Sequence, residues 1–185
     1  MKKKELSWTE IKESIAELRA SQKETSQQIK ETSRQIDNLH EEISGISNSN
    51  GLFAEEYFFN SLEKKMEFAG VHFDSISNEF RRLRKTPDGG RVEDQFDIVL
   101  FNGNAIALIE VKYKARKKNL DKMLKQKIPN FRFLFPEYAK HKIYLGLGGM
   151  SFEKNVVGEA KKLGIGLLKQ VGETIEYETE WVKAY

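Results

Sequence analysis

Between residues 95 and 113 the chain reads Gln-Phe-Asp-Ile-Val-Leu-Phe, then Asn-Gly, then Asn-Ala-Ile-Ala-Leu-Ile-Glu-Val-Lys-Tyr. Two runs of β-branched and aromatic residues around an Asn-Gly pair are a strong short-range signal for an antiparallel hairpin. The pair of strands is highly apolar, yet it contains Asp97, Glu110 and Lys112. A two-residue turn at Asn102-Gly103 predicts Phe101 opposite Asn104, Asp97 opposite Leu108 and Gln95 opposite Glu110. Strand alternation then sets Asp97, Glu110 and Lys112 on one side of the sheet, with Asp97 diagonal to Glu110; a three-residue turn would change this register. A simple core hairpin has no use for two carboxylates and a lysine pointing the same way.

The segments around the hairpin alternate between helix and strand signals. Leu52, Phe53, Ala54, Tyr57, Phe58, Phe59 and Leu62 predict an apolar helix in which Glu55 shares the face of Leu52, Phe59 and Leu62, while Glu56 lies on the more polar side. Residues 71–76 read as a strand, followed by a basic stretch from Glu79 to Lys85 and a loop at Thr86-Pro87-Asp88-Gly89-Gly90. After the hairpin come a basic turn and helix over residues 114–127 and an aromatic segment, Phe131, Phe133 and Phe135, bracketed by Pro129 and Pro136. Residues 141–147 read as a buried strand, 152–163 as a helix and 165–171 as a short strand. The alternation predicts a layered α/β fold.

Phosphodiester hydrolysis needs a divalent ion to polarise phosphate, a water made nucleophilic, and relief of charge on the departing oxygen. Asp97 and Glu110 offer hard oxygen ligands, the main-chain carbonyl of Val111 can complete the protein side of a Mg²⁺ site, and Lys112 can orient or help deprotonate water. Glu55 must be paired, protonated or coordinated if its helix face is buried, and from there it can add a direct or water-mediated contact to the cation. An internal ion-pair network of Asp97, Glu110 and Lys112, and a merely solvated Glu55, are the plain alternatives.

Asp97, followed after twelve residues by Glu110-Val111-Lys112, resembles the acidic residue and ExK motif of the PD-(D/E)XK nuclease superfamily. The resemblance spans about residues 51 to 171 and is closest to small prokaryotic members with an N-terminal coiled coil. It implies a restriction-endonuclease-like αβββαβ core, a Mg²⁺ cofactor for which Mn²⁺ can substitute, and DNA as substrate. It also implies Glu55 as the helix carboxylate, because Gly51-Leu52-Phe53-Ala54-Glu55 matches the glycine-to-glutamate pattern, with Glu56 as the fallback. Pro87-Asp88 is a decoy for the eponymous pair, since it lies in a glycine-rich turn outside the hairpin. Arg81, Arg82, Arg84, Arg116, Lys117 and Lys118 are candidates for contacts to nucleic-acid phosphates, and Gln126 is a candidate to reach the site from the next helix.

The first quarter of the chain is of another kind. Trp8, Ile15, Gln22, Ile29, Ile36 and Ile43 fall at the a positions of a heptad repeat, and Ile11, Leu18, Thr25, Thr32, Leu39 and Ile46 fall at d. A stripe with a 3.5-residue period predicts a coiled-coil helix over residues 1–46 that self-associates through residues 8–46. The polar layers Gln22, Thr25 and Thr32 weaken the seam and leave oligomer number and helix orientation open. The small-residue run Ser44-Gly45-Ile46-Ser47-Asn48-Ser49-Asn50-Gly51 predicts a break before a nuclease-like domain at residues 51–185.

Composition narrows the function classes. The 185 residues include no cysteine and only three histidines, which excludes disulfides, thiolate catalysis and cysteine-ligated metals. The net charge of +3 divides unevenly: residues 1–46 carry 8 basic and 9 acidic side chains, leaving 23 basic and 19 acidic in the remainder. The slightly acidic helix argues against attachment to anionic lipid. No apolar run approaches the roughly 20 residues that span a bilayer, and the basic start leads into polar sequence rather than a signal peptide, so no membrane partner and a cytoplasmic location are expected. Together with the resemblance, which implies DNA as the substrate, the sequence predicts a metal-dependent deoxyribonuclease assembled by its coiled coil. RNA remains open as a substrate, and a catalytically silent nucleic-acid-binding or assembly protein is the alternative.

Overall fold

A computed structural model of the chain describes residues 8–185. The basic start at residues 1–7 lies outside the described residues, as do the side chains of His40, Glu41, Glu42, Ser44 and Ser47. The chain divides into two units, the first ending at Asn48 and the second spanning Ser49–Tyr185.

Helix α1 is assigned from Trp8–Lys65. The predicted break at residues 44–51 does not occur: the segment is helical throughout. Serine and asparagine each cost well under about 1 kcal/mol in a helix and glycine about 1, and with no proline the hydrogen-bond ladder survives a short run of them. In the first unit the apolar heptad side chains Trp8, Ile15, Leu18, Ile29, Ile36, Leu39, Ile43 and Ile46 are exposed. Thr25, at a d position, turns its hydroxyl back to the Ser21 carbonyl at 2.8 Å, which makes it a poor knob for a partner helix.

The second unit is a mixed α/β structure. After a two-stranded ribbon, β1 (Glu67–Phe68) and β2 (Val71–His72), the strands β3 (Ser75–Lys85), β4 (Arg91–Phe101), β5 (Ala105–Ala115), β6 (Lys142–Phe152), β7 (Gly166–Val171) and β8 (Thr174–Glu178) form one sheet in sequence order. The first three are antiparallel, β5, β6 and β7 are parallel, and β8 closes the edge antiparallel to β7. Between β5 and β6 the chain forms α2 (Lys117–Lys122), a π-helical turn (Met123–Lys127) and α3 (Ile128–Leu134); α4 (Val156–Leu163) crosses between β6 and β7. The basic stretch at residues 79–85 is thus the second half of a long strand, and β8 has no counterpart in the sequence reading.

The sheet is covered on both faces. Ala54, Phe58 and Leu62, spaced by four along α1, are fully buried with Phe68, Phe73, Ile98, Leu100, Ala107 and Ile109. Leu120, Met123, Phe131, Leu134 and Phe135 cover the opposite face against Val99, Ile106, Leu108 and Leu145. Burying one such side chain contributes about 1.5–3 kcal/mol, so these two layers dominate the stability of the unit. Gly148 lets α1 close on the sheet, because a Cβ there would meet the Phe58 ring at 3.3 Å. The buried stripe differs from the expected one: Leu52 and Phe53 are exposed, and Glu55 sits half-buried at the edge of the Ala54–Phe58–Leu62 row.

Candidate active site

The hairpin register is offset by two residues from the prediction. Phe101 pairs with Ile106 and Ile98 with Ile109. The cause is the Asn102 side chain, whose Oδ1 accepts from the N–H groups of Asn104 (2.9 Å) and Ala105 (2.8 Å) and so stabilises a longer turn than two residues. A shift of two leaves the strand parity unchanged.

The β4–β5 ladder ends at the Ile98–Ile109 rung, and Asp97 and Glu110 are the next residues on their strands. Beyond that rung the Val111 N–H donates to Asp97 Oδ2 at 2.8 Å, a side chain taking the place of a main-chain acceptor. The strands fork here, and the two carboxylates sit in the fork. Their side chains are 11% and 6% exposed.

The Lys112 ammonium lies between them. It contacts Asp97 Oδ2 at 3.1 Å and Glu110 Oε1 at 2.9 Å, and donates to the Val111 carbonyl at 2.6 Å. Two carboxylate oxygens and one main-chain oxygen thus converge on a single cationic atom. Burial alone would lower the Lys112 pKa, but the charges of Asp97 and Glu110 outweigh it and hold the group above the ordinary lysine range. Asp97 shows the converse: burial, then the Glu110 charge, push its carboxyl up, and Lys112 and the Val111 N–H only partly offset them. The pocket is short of positive charge.

Glu55 faces the same field. Burial raises its pKa first, followed by the charge of Asp97, against an opposing contribution from Lys112. It lines a cleft of about 390 Å³ with Leu52, Glu56, Phe59, Asn60, Asn78 and Glu79. Glu56 is exposed. Pro87 and Asp88 lie in the turn that joins β3 to β4, at the far end of both strands from the fork.

Two groups escaped the sequence reading. Lys127, in the π-helical turn, is buried, with its side chain 7% exposed, and reaches Glu110 Oε2 at 3.4 Å and Asp94 Oδ1 at 2.9 Å; it also donates to the Gln95 carbonyl. Asn130 donates to the other oxygen of Asp94 at 2.8 Å. The available signal was spacing: Lys127 stands four residues from buried Met123 and four from buried Phe131, on the apolar stripe. Gln126, its neighbour, is exposed. Glu79 is the second. It has φ +48°, a left-handed conformation unfavourable for any residue with a Cβ, and it lies opposite Asp97 at the one unpaired position of the β3–β4 ladder, between the Asn78–Ile98 and Phe80–Phe96 pairs. Nothing local in the sequence announces that positive φ.

Three of the arginines proposed for phosphate contact are engaged within the protein. Arg81 pairs with Glu93, Arg82 with Glu137 at 2.5 Å and the Leu134 carbonyl at 3.1 Å, and Arg84 donates to the Phe133 carbonyl at 2.8 Å. Arg81 thus ties β3 to β4, and Arg82 and Arg84 join β3 to the end of α3. Lys117 lies 3.5 Å from Glu159, while Arg116 and Lys118 are exposed at the start of α2.

The arrangement fits a hard divalent cation. The donors are oxygens, as such ions prefer, and they already surround a positive charge. Among the described residues no group of three or more His, Cys, Asp or Glu side chains forms a metal cluster, so the fit depends on the Val111 carbonyl joining the two carboxylates.

No protein-family model matches the chain, and no curated protein matches it in sequence. Among solved structures, protein VC1899 from Vibrio cholerae is similar over 60% of this chain at 17% identity, with a TM-score of 0.43. The small subunit (R.BspD6I2) of the heterodimeric restriction endonuclease R.BspD6I is similar over 64% at 14% identity, with a TM-score of 0.35. The matched parts amount to 28% and 61% of those two chains. Among the described residues no helix is long and apolar enough to cross a membrane.

Proposed function

We propose that the Ser49–Tyr185 unit is a divalent-cation-dependent nuclease that hydrolyses phosphodiester bonds in DNA. One observation carries this reading: Asp97 Oδ2, Glu110 Oε1 and the Val111 carbonyl converge on one point at the end of a strand fork. Those three oxygens would hold Mg²⁺ or Mn²⁺. When bound, such an ion polarises a phosphate and lowers the pKa of a coordinated water. The chain's own groups do the rest. Glu55, at the rim of the cleft, accepts a hydrogen bond from a water on the open side of the site. Lys112, one-third exposed, supplies a mobile positive charge against the oxyanion that develops on phosphate. Lys127, itself anchored by Asp94, holds Glu110 from behind. The exposed bases Arg116 and Lys118 follow directly after β5, which bears Glu110 and Lys112, and would contribute affinity for backbone phosphates without sequence choice.

We also propose that the first unit pairs with a second copy of the chain along its exposed heptad stripe, so that two catalytic units act together. Single side chains such as Ile29 and Ile36 would lose about 1.5–3 kcal/mol of burial each if left in water.

A cleavage panel with linear, nicked, single-stranded and branched DNA plus RNA, with and without Mg²⁺ or Mn²⁺, tests the reading. Metal-dependent substrate loss that disappears in Asp97→Ala and Glu110→Ala is the expected result. Binding without cleavage under every metal condition would instead mark a silent nucleic-acid-binding protein.

A further inference from the structure

Lys112 occupies the very point at which the three oxygens would meet a metal. Its ammonium is 3.1, 2.9 and 2.6 Å from Asp97 Oδ2, Glu110 Oε1 and the Val111 carbonyl. Two of these contacts are hydrogen bonds and the third an ion pair, so the ammonium engages all three oxygens where it stands. A cation bound by the same oxygens and the Lys112 nitrogen cannot both fit. The side chain has somewhere to go, because a third of its surface is open. Lys127 offers an internal comparison: its ammonium lies 3.4 Å from Glu110 Oε2, so it imposes a similar field on Glu110, but it is held by Asp94 and the Gln95 carbonyl, away from the three-oxygen point.

We propose that Lys112 is a built-in plug of the cation site: in the resting protein its ammonium stands in for the metal, and a divalent cation enters only by displacing it toward solvent. This rests on the cation-dependent reading above and adds a coupling to it. The same exchange that loads the site frees the lysine for substrate phosphate, so the charged side chain becomes available only where a metal is in place. It also lowers resting affinity, because each incoming ion must replace two charge-assisted hydrogen bonds and an ion pair.

Isothermal titration of the full-length chain with Mn²⁺, without nucleic acid, separates the possibilities. Lys112→Met should bind Mn²⁺ about tenfold or more tightly than wild type. Lys127→Met, which removes a comparable charge but no plug, reads out the field alone and should tighten binding clearly less than Lys112→Met does. Equal tightening in both variants would reduce the effect to field alone and overturn the plug, as would unchanged or weaker binding in Lys112→Met. A second measurement uses wild type only and does not depend on the buried Lys127 variant folding. In ¹⁵N spectra of the lysine ammonium groups, the Lys112 signal, identified by its loss in Lys112→Met, should move on Mg²⁺ addition while that of Lys127 stays. If Mg²⁺ binds and the Lys112 signal does not change, the exchange is wrong and the cation site stands. If neither wild type nor Lys112→Met takes up either ion, the cation-dependent reading itself falls, and the plug with it.

Discussion

Replacing Glu110 by glutamine and Asp97 by asparagine should have opposite effects on stability, although both should abolish cleavage. Glu110 is flanked by two ammonium groups, at 2.9 Å (Lys112) and 3.4 Å (Lys127). At an effective dielectric constant of about 20 these distances correspond to gross attractions of about 6 and about 5 kcal/mol. Desolvation of the partners and the exposure of Lys112 remove much of that, and breaking a buried pair leaves a net cost of about 3 kcal/mol. For a chain of this size the cost corresponds to a fall in Tm of about 6–12 °C. Asp97 differs because burial and the Glu110 charge raise its pKa in spite of Lys112. A carboxyl whose folded pKa is raised favours folding while protonated, and that contribution is lost as pH rises from the ordinary carboxylate pKa through the folded one. Asparagine carries no charge to desolvate, so Asp97→Asn, which keeps an acceptor for the Val111 N–H, should melt at or above wild type. Calorimetry in chelator at neutral pH measures both. A fall in Asp97→Asn as large as that in Glu110→Gln would refute this account of the site's charges.

Further outcomes follow from the same geometry. Divalent-cation affinity should fall as pH drops into the mildly acidic range, since protons compete for the raised carboxyls of Asp97 and Glu55; a flat titration profile would contradict their assignment. Charge reversal at Arg116 and Lys118 should weaken DNA binding and reduce the salt slope by about 0.9 per lost phosphate contact, whereas Arg81→Gln, which mainly breaks a pair with Glu93, should leave that slope unchanged in filter-binding or anisotropy measurements. Gly146→Ala would bring a Cβ within 2.5 Å of Ile109 Cδ1 and 2.8 Å of the Phe68 ring; overpacking of about 1–3 kcal/mol is expected in denaturant titration. Ile29→Asp with Ile36→Asp should convert the chain to monomer in sedimentation velocity, and an unchanged sedimentation coefficient would remove the case for pairing.

How much of this was legible depended on how local the cause was. The Asn-Gly hairpin, the alternation that keeps Asp97, Glu110 and Lys112 in step, and the order of strands and helices around them all follow from period and turn chemistry a few residues wide. The register did not, because Asn102 uses its side chain to lengthen the turn. The helix break at Ser44–Gly51 was expected from individual propensities, each too small to stop a helix that is well formed on either side. Lys127 looked like one more residue of a basic helix until the π-helical turn and Asp94 gave it buried partners. Edge strand β8 and the left-handed backbone at Glu79 depend on neighbours that lie far away in sequence. By itself, then, the sequence determined the chemistry available: hard oxygen donors, a lysine among them, no thiol, and a long heptad stripe. Tertiary structure alone decided where that chemistry meets, because the fork between β4 and β5 and the ammonium seated in it depend on strand divergence and on charges brought together from separate segments.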